Sequence, residues 1–271
     1  MMEKVSIIMA VYNCEKTISR AIDSVLNQTY TDWVMIICDD GSCDGTFGIM
    51  KSYEEKYPEK FVLIKNDKNR KLPYSLNQCL RYVKTDLIAR MDGDDWCQPT
   101  RLEKQVKFLE EHPDIDLVGT GVTVSDGKSR IASIIKTTMP TKETMLYSNA
   151  FSHATIMTYK RVYDALGGYS LDPAVLRVED VDLWCRFLAA GYKGYNLQEE
   201  LYVILEDINA VKRRTFKARL NSARTRCRGY HLMGYKGVVC YKPYFLIFRA
   251  FIPTGIYKIL HKWKLKYSKK N

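Results

Sequence analysis

The sequence predicts an α/β fold: a mostly parallel, Rossmann-like sheet flanked by helices, followed by a basic helical C-terminal extension. Three observations carry this expectation. Short apolar runs alternate with amphipathic segments through the first 112 residues, the pattern of strands covered on both faces by helices. Clusters of polar residues fall directly after three of those runs, where open parallel sheets bind ligands. The charge is also divided. Residues 1–207 carry 25 Lys and Arg against all 31 Asp and Glu, whereas residues 208–271 carry 17 Lys and Arg and no acid. Such a break marks a segment boundary, giving a domain over 1–207 and an extension over 208–271.

Taken in order, VSIIMAV (5–11) is the first buried strand, and Ile18, Ala21, Ile22, Val25 and Leu26 mark a helix. WVMIIC (33–38) is the second strand, followed by the turn DDGSCDGT and a helix over about 45–57. FVLIK (61–65) is the third strand, with a helix over about 74–83 carrying Leu76, Leu80 and Val83. DLIARM (86–91) is the fourth, and an amphipathic helix over 99–112 opens with Pro99 near its first turn. Beyond it the spacing predicts short strands near 115–124 and 131–136 and a helix near 141–149. A strand over 153–159, a helix over 178–191 stopped by Gly191 and a last strand over 201–205 follow.

A chain of 271 residues can bury the core of one catalytic-size domain and still carry an appendage. The eight cysteines form no CxxC pair and only four His accompany them, so reduced, mostly buried thiols of a cytosolic protein are expected. The N-terminus lacks the apolar core of a signal peptide. The longest apolar stretch, 244–260, is broken by Arg249, Pro253 and Lys258, which argues against a membrane span.

The clusters at the strand ends carry the chemistry. Tyr12, exposed at a strand tip, can stack on a nucleobase, although an ordinary turn accounts for it as well. In DDGSCDGT, Asp44 can cap the next helix. Adjacent Asp39 and Asp40 need another reason, and one of them is placed to accept a base N–H. Asp92, Asp94 and Asp95 crowd three like charges at the lip of the core, which costs stability. Carboxylates at this spacing suit Mg²⁺ or Mn²⁺ bridging a diphosphate; a solvated acidic turn is the plain alternative. Glu179 and Asp180 open a helix, where acids serve as favourable dipole partners or, facing a pocket, as a general base.

The four stretches VSIIMAVYN, DDGSCDGT, ARMDGDDW with PTRL, and VEDVDLWCR, in this order and at these distances, resemble the family 2 glycosyltransferases of GT-A fold over about residues 4–205. The resemblance implies transfer of a sugar from a nucleotide-diphosphate donor, with inversion, to a saccharide or lipid-linked saccharide. Tyr12 would then stack on the base, Asp40 would bond a base N–H, and Asn77 and Arg90 would assist on the donor side. Asp92 would hold the ribose or the metal, Asp94 would be the direct ligand of Mn²⁺ or Mg²⁺, and Asp180 would be the catalytic base. His153, Gly168, Tyr169 and Glu179 would line the acceptor side; a purely structural histidine is the alternative for His153. One departure is visible. Many relatives that build surface polysaccharides continue past the last strand with Arg, Tyr and His, whereas LYVILEDINAVKRRTF (201–216) holds no His.

Three other classes share parts of the pattern. A nucleic-acid binder would use the positive charge, but that charge is confined to the tail and the body is net negative. A nucleotidyltransferase would need a Gly-rich, basic loop where AVYNCEKT stands; an inactive nucleotide-sugar- or membrane-binding scaffold is the other alternative, against which stands the presence of all the motif acids. In the tail, Phe216, Leu220, Ala223 and Cys227 fall at helical spacing, and aromatics interleave with Lys and Arg to the C-terminus. This composition predicts an interfacial helix on an anionic membrane, with a solvated basic helical extension as the plain alternative; together with the lipid-linked acceptors that the resemblance implies, it gives a peripheral enzyme at the cytoplasmic face.

Overall fold

The computed structural model describes residues 5–206, 216–245 and 247. The boundary expected at 207/208 and most of the aromatic-basic stretches beyond 244 lie outside the described residues.

The N-terminal half follows the expected alternation: β1 (Val5–Val11), α1 (Ile18–Leu26), β2 (Trp33–Asp39), α2 (Thr46–Lys56), β3 (Phe61–Lys65), α3 (Leu72–Tyr82) and β4 (Leu87–Asp92). After it come β5 (Trp96–Cys97), α4 (Arg101–Glu111), β6 (Leu117–Ser125), β7 (Arg130–Ile134), β8 (Met157–Tyr159), α5 (Lys160–Leu166), α6 (Glu179–Ala189), β9 (Gly194–Leu205) and α7 (Phe216–Leu232). The sheet order is β3-β2-β1-β4-β8-β6-β9-β5, with β7 on the side of β6. The first four strands are parallel, and β8 runs antiparallel to β4 and β6. The sheet is thus parallel where nucleotide folds are parallel and mixed beyond.

Alternation along the strands makes two cores. Ile7 and Met9 of β1, with Met35 and Ile37 of β2, pack toward α1, α2 and α4. Ile8 and Ile36 face the other way, toward α3, α5 and α6, where Trp184 and Phe187 are fully buried. Both faces are covered, which explains the unbroken apolar strands.

Four expectations are corrected. The helix near 141–149 is only a 3₁₀ turn at Thr144–Leu146. Asn196 of β9 bonds the carbonyls of Thr137, Thr138 and Ala150, holding both flanks of that segment against the sheet. The strand expected at 153–159 begins as a 3₁₀ turn, His153–Thr155, and is extended only from Met157. The last strand starts at Gly194 because its polar first half pairs in parallel with β6. Helix α5 was not expected; Gly167, in the left-handed conformation at φ 69°, ends it.

Helix α7 forms where helical spacing predicts it, but on a different face. Its buried residues are Asn221, Ala223, Thr225, Gly229 and Tyr230, while Phe216 is exposed. Small and polar residues let it lie against α6. Gly229 approaches Cys185 so closely that a Cβ there would meet Sγ at 2.3 Å. The hydroxyl of Tyr230 donates to Met145 O at 2.9 Å, and Arg228 pairs with Asp172 at 2.7 Å.

Candidate active site at the carboxyl edge of the sheet

Strand pairing brings the clusters together. Val11 is level with Asp39 across β1 and β2, and Ala10 is level with Asp92 across β1 and β4. Tyr12, Asp40 and Asp92 therefore leave neighbouring strand tips. Tyr12 is 45% exposed, as a stacking platform requires. Asn13 follows with φ 54°; its Oδ1 accepts from Cys43 N at 2.9 Å and stitches the β1 tip to the DDGSCDGT turn.

The two aspartates of that turn have separate tasks. Asp40 is buried, and its carboxylate accepts from Arg70 N, Lys71 N, Ser75 Oγ and Asn66 Nδ2 at 2.7–2.9 Å. It thereby holds Lys71, at φ 75°, in the turn that opens α3. Oδ2 takes only one of these bonds, so one acceptor site remains for a further donor. Asp39 Oδ1 accepts from Ser42, and its Oδ2 is buried with no hydrogen-bond partner among the described residues.

The acidic turn sits between β4 and β5. One carboxylate oxygen each from Asp92, Asp94 and Asp95 lie within 4.8 Å of one another. This hard, all-oxygen donor set fits a divalent cation such as Mg²⁺ or Mn²⁺. Asp94 is exposed. Asp92 is gripped from behind by the two terminal nitrogens of Arg90, which is only 3% exposed. Arg90 thus serves the site through Asp92. Asp95 is buried, accepts from Leu205 N at 3.0 Å, and has its carboxyl pushed up to about 8 by burial and then by Asp92 and Asp94. Tyr202 of β9 accepts the backbone N–H of Asp92 through its hydroxyl at 3.0 Å.

Glu179 and Asp180 occupy the first turn of α6. Burial raises both carboxyls above their ordinary range. Asp180 Oδ2 accepts from Asn149 Nδ2 at 3.0 Å, and Glu179 Oε2 has no hydrogen-bond partner among the described residues. A cavity of about 400 Å³ is lined by Asp92, Arg90, His153, Glu179 and Asp180 together. A larger one, about 610 Å³, opens beside β2, β3 and the end of α3 and is lined by none of the motif acids.

Of the residues expected on the acceptor side, His153 and Glu179 line the smaller cavity, and Tyr169 is buried behind His153. His153 Nε2 meets the Tyr169 hydroxyl at 2.9 Å, and that hydroxyl also meets Tyr163 at 2.9 Å. Burial, then Arg90, holds His153 well below its usual range, so it is neutral. Tyr169 is 2% exposed and presents no side-chain surface. Asn77, expected on the donor side, clamps the Tyr169 backbone instead, donating to its O and accepting from its N, both at 2.8 Å. Both ends of its amide are engaged there. Gly168, at φ 69°, passes so close that a Cβ would meet Asn77 Oδ1 at 2.6 Å.

Two participants were not anticipated. Asn149, which holds Asp180, lies in the loop after the Thr144–Leu146 turn, where a helix was expected. Arg226 of α7 donates to Asn149 Oδ1 at 2.7 Å. Residues 77 positions apart give no local signal of such a contact.

The chain is 42% identical over 269 residues to EpsE of Bacillus subtilis (strain 168), covering 98% of this chain and 96% of that one. It is 30% identical over 205 residues to the UDP-Glc:α-D-GlcNAc-diphosphoundecaprenol β-1,3-glucosyltransferase WfaP of Escherichia coli, covering 72% and 74%. Among solved structures, the mannosyltransferase PcManGT from Pyrobaculum calidifontis, in complex with GDP-Man and Mn²⁺, superposes with TM-score 0.64 at 18% identity, covering 91% and 69%. That likeness shows the fold, which is the GT-A type expected. The family model described as Glycosyl transferase family 2 matches residues 6–166, and the chain belongs to that family.

Proposed function

We propose that this glycosyltransferase moves a sugar, with inversion, from a UDP-sugar to a hydroxyl of a saccharide or lipid-linked saccharide, with Asp180 as the base. The observation that carries the reading is the single cavity shared by Asp92 of the acidic turn and Asp180 of α6. The 30% identity to WfaP, whose name gives a UDP-sugar and a lipid-diphosphate acceptor, supports the choice of substrates.

In this mechanism Tyr12 stacks on the base and the remaining acceptor site of Asp40 takes a base N–H. Asp94 and Asp92 would hold Mn²⁺ or Mg²⁺, which when bound neutralises charge on the donor diphosphate. Arg90 keeps Asp92 aimed. Asp180 takes the proton of the acceptor hydroxyl as the oxygen attacks the anomeric carbon opposite the diphosphate. Its raised pKa brings it closer to the working range of a general base.

We place the enzyme at the cytoplasmic face of the membrane, held by its basic extension. Supporting this, Leu232, Val238, Tyr241 and Phe245 are all more than half exposed in a segment that also carries Lys236 and Lys242. Apolar and aromatic residues beside Lys suit an anionic lipid surface. No helix among the described residues is long and apolar enough to cross a membrane.

The test of the transfer reading is a panel of UDP-, GDP- and dTDP-sugars scored by metal-dependent thermal shift and slow donor hydrolysis. Asp180→Asn should keep UDP binding and lose transfer by about 10²–10⁴-fold; parallel loss of both would assign the residue to structure. For the membrane, full-length protein should float with anionic liposomes in a salt-sensitive way. The triple variant Val238→Ser, Tyr241→Ser, Phe245→Ser should float less, and equal flotation of the two would remove the assignment.

A further inference from the structure

The extension does more than carry charge, because its first helix reaches the catalytic base. Asp180 Oδ2 accepts from Asn149 Nδ2 at 3.0 Å, and Asn149 Oδ1 accepts from Arg226 at 2.7 Å. We propose that Arg226 of α7 is a positioning residue that orients Asn149, and through it the Asp180 carboxylate, so that the C-terminal helix is part of the catalytic machinery. This rests on the reading of Asp180 as the base.

The geometry has the features such a relay needs. An amide can present either its oxygen or its nitrogen, and only the nitrogen can donate to a carboxylate. A cation on the Asn149 oxygen selects that orientation. The amide then spends one donor on Oδ2 of Asp180, a residue that lines the cavity. Arg226 is itself pinned by the close packing of α7 on α6. Gly229 lies against Cys185, Thr225 Oγ1 donates to Ala174 O at 3.3 Å, and Tyr230 donates to Met145 O. A shift of α7 is therefore transmitted to the base.

Arg226 also acts on the charge of Asp180. Burial raises the carboxyl, and the backbone N–H of Val181, then the cations Arg226 from α7 and Arg90 from β4, oppose that. Glu179 and Cys185 are the titratable neighbours on α6 itself. Across the cavity stand Asp92, neutral His153, Lys136 and Arg177. Removing the Arg226 charge leaves burial less opposed, so the base would stay protonated to higher pH.

The experiment compares Arg226→Met, Arg226→Lys, Asn149→Ala, Asp180→Asn and the exposed control Arg224→Met in the full chain. It reads kcat against pH, donor KM, UDP affinity and Tm. Arg226→Met and Asn149→Ala should each lower kcat about 10-fold or more at neutral pH, as expected for a loosened reacting group, with UDP affinity unchanged. For Arg226→Met the acid limb of the profile should move to higher pH, with activity partly regained in alkali. Arg226→Lys, which keeps the charge, should keep the limb near its original place, and Arg224→Met should match the parent. If Asp180→Asn retains transfer, the reading of the base fails. If Asp180→Asn is inactive while Arg226→Met keeps the parent's rate and acid limb, the relay fails. A lower Tm and rate with an unmoved limb in Arg226→Met also overturns it, as the role is then structural. Asn149→Ala, which leaves the α6–α7 packing in place, decides the case should Arg226→Met fold poorly.

Discussion

Gly229→Ala tests whether α7 is a built part of the enzyme. In an open helix this change removes the backbone freedom of glycine and stabilises by about 1 kcal/mol. At Gly229 the new Cβ would stand 2.3 Å from Cys185 Sγ and 2.7 Å from Cys185 Cβ. Rotating the thiol relieves the first contact only; the second moves only with the backbone of α6. Cys185 is 1% exposed, so α6 has no room to retreat. Overpacking of this kind costs about 1–3 kcal/mol, which cancels or outweighs the propensity gain. Gly48, inside α2, is the control, because nothing lies within 4 Å of its added Cβ. Gly48→Ala should raise Tm by about 2–4 °C, the shift that corresponds to 1 kcal/mol in a chain of this size class. Gly229→Ala should fall at least that far below the control in differential scanning calorimetry, and its transfer rate should drop as Arg226 leaves Asn149. If Gly229→Ala is as stable as Gly48→Ala, the α6–α7 contact is not the tight one described and the argument from packing fails.

Asp94→Ala should not lower Tm without metal, since Asp94 is exposed and its charge crowds Asp92 and Asp95, and should remove both turnover and the Mn²⁺-dependent thermal shift with UDP; normal metal-dependent activity would exclude Asp94 as ligand. Gly168→Ala combines a positive φ with a 2.6 Å approach to Asn77 Oδ1, so a loss of about 1–2 kcal/mol from conformation alone is expected, plus the clash, read by urea unfolding. His153 has its pKa depressed on folding, so the unfolded state binds the extra proton. Its contribution to stability is fully present above about pH 6.5 and is lost as pH falls below that, by up to about 1.4 kcal/mol per pH unit. His153→Gln should flatten that part of the stability profile, and an unchanged slope would mean the imidazole is charged in the fold.

Much of the framework of the candidate site was legible from local pattern. The continuous runs of β1, β2 and β4 can be satisfied only by burial on both faces, and the acids that end them can lie only at a sheet edge. Tyr12, Asp40, Asp92 and Asp94 were therefore placed near one another before any coordinates, whereas Asp180 was assigned to the site only through the family resemblance. Long-range pairing was invisible for the opposite reason. The first half of β9, YNLQEE, lacks an apolar signal, and it is a strand because β6 offers it a parallel partner. The segment 141–149 has helical composition, yet Asn196 holds the chain on either side of it. Asn77 stands in a recognisable position, but which backbone an amide will bond depends on what the fold brings to it. The order of strand ends and the identity of the acids follow from the sequence, since hydrophobic period and charge are properties of neighbours along the chain. The tertiary structure alone decided that Asn77 clamps Tyr169, that small and polar residues bury one side of α7, and that Arg226 reaches Asn149 beside Asp180, because each joins groups whose separation in sequence carries no periodic trace.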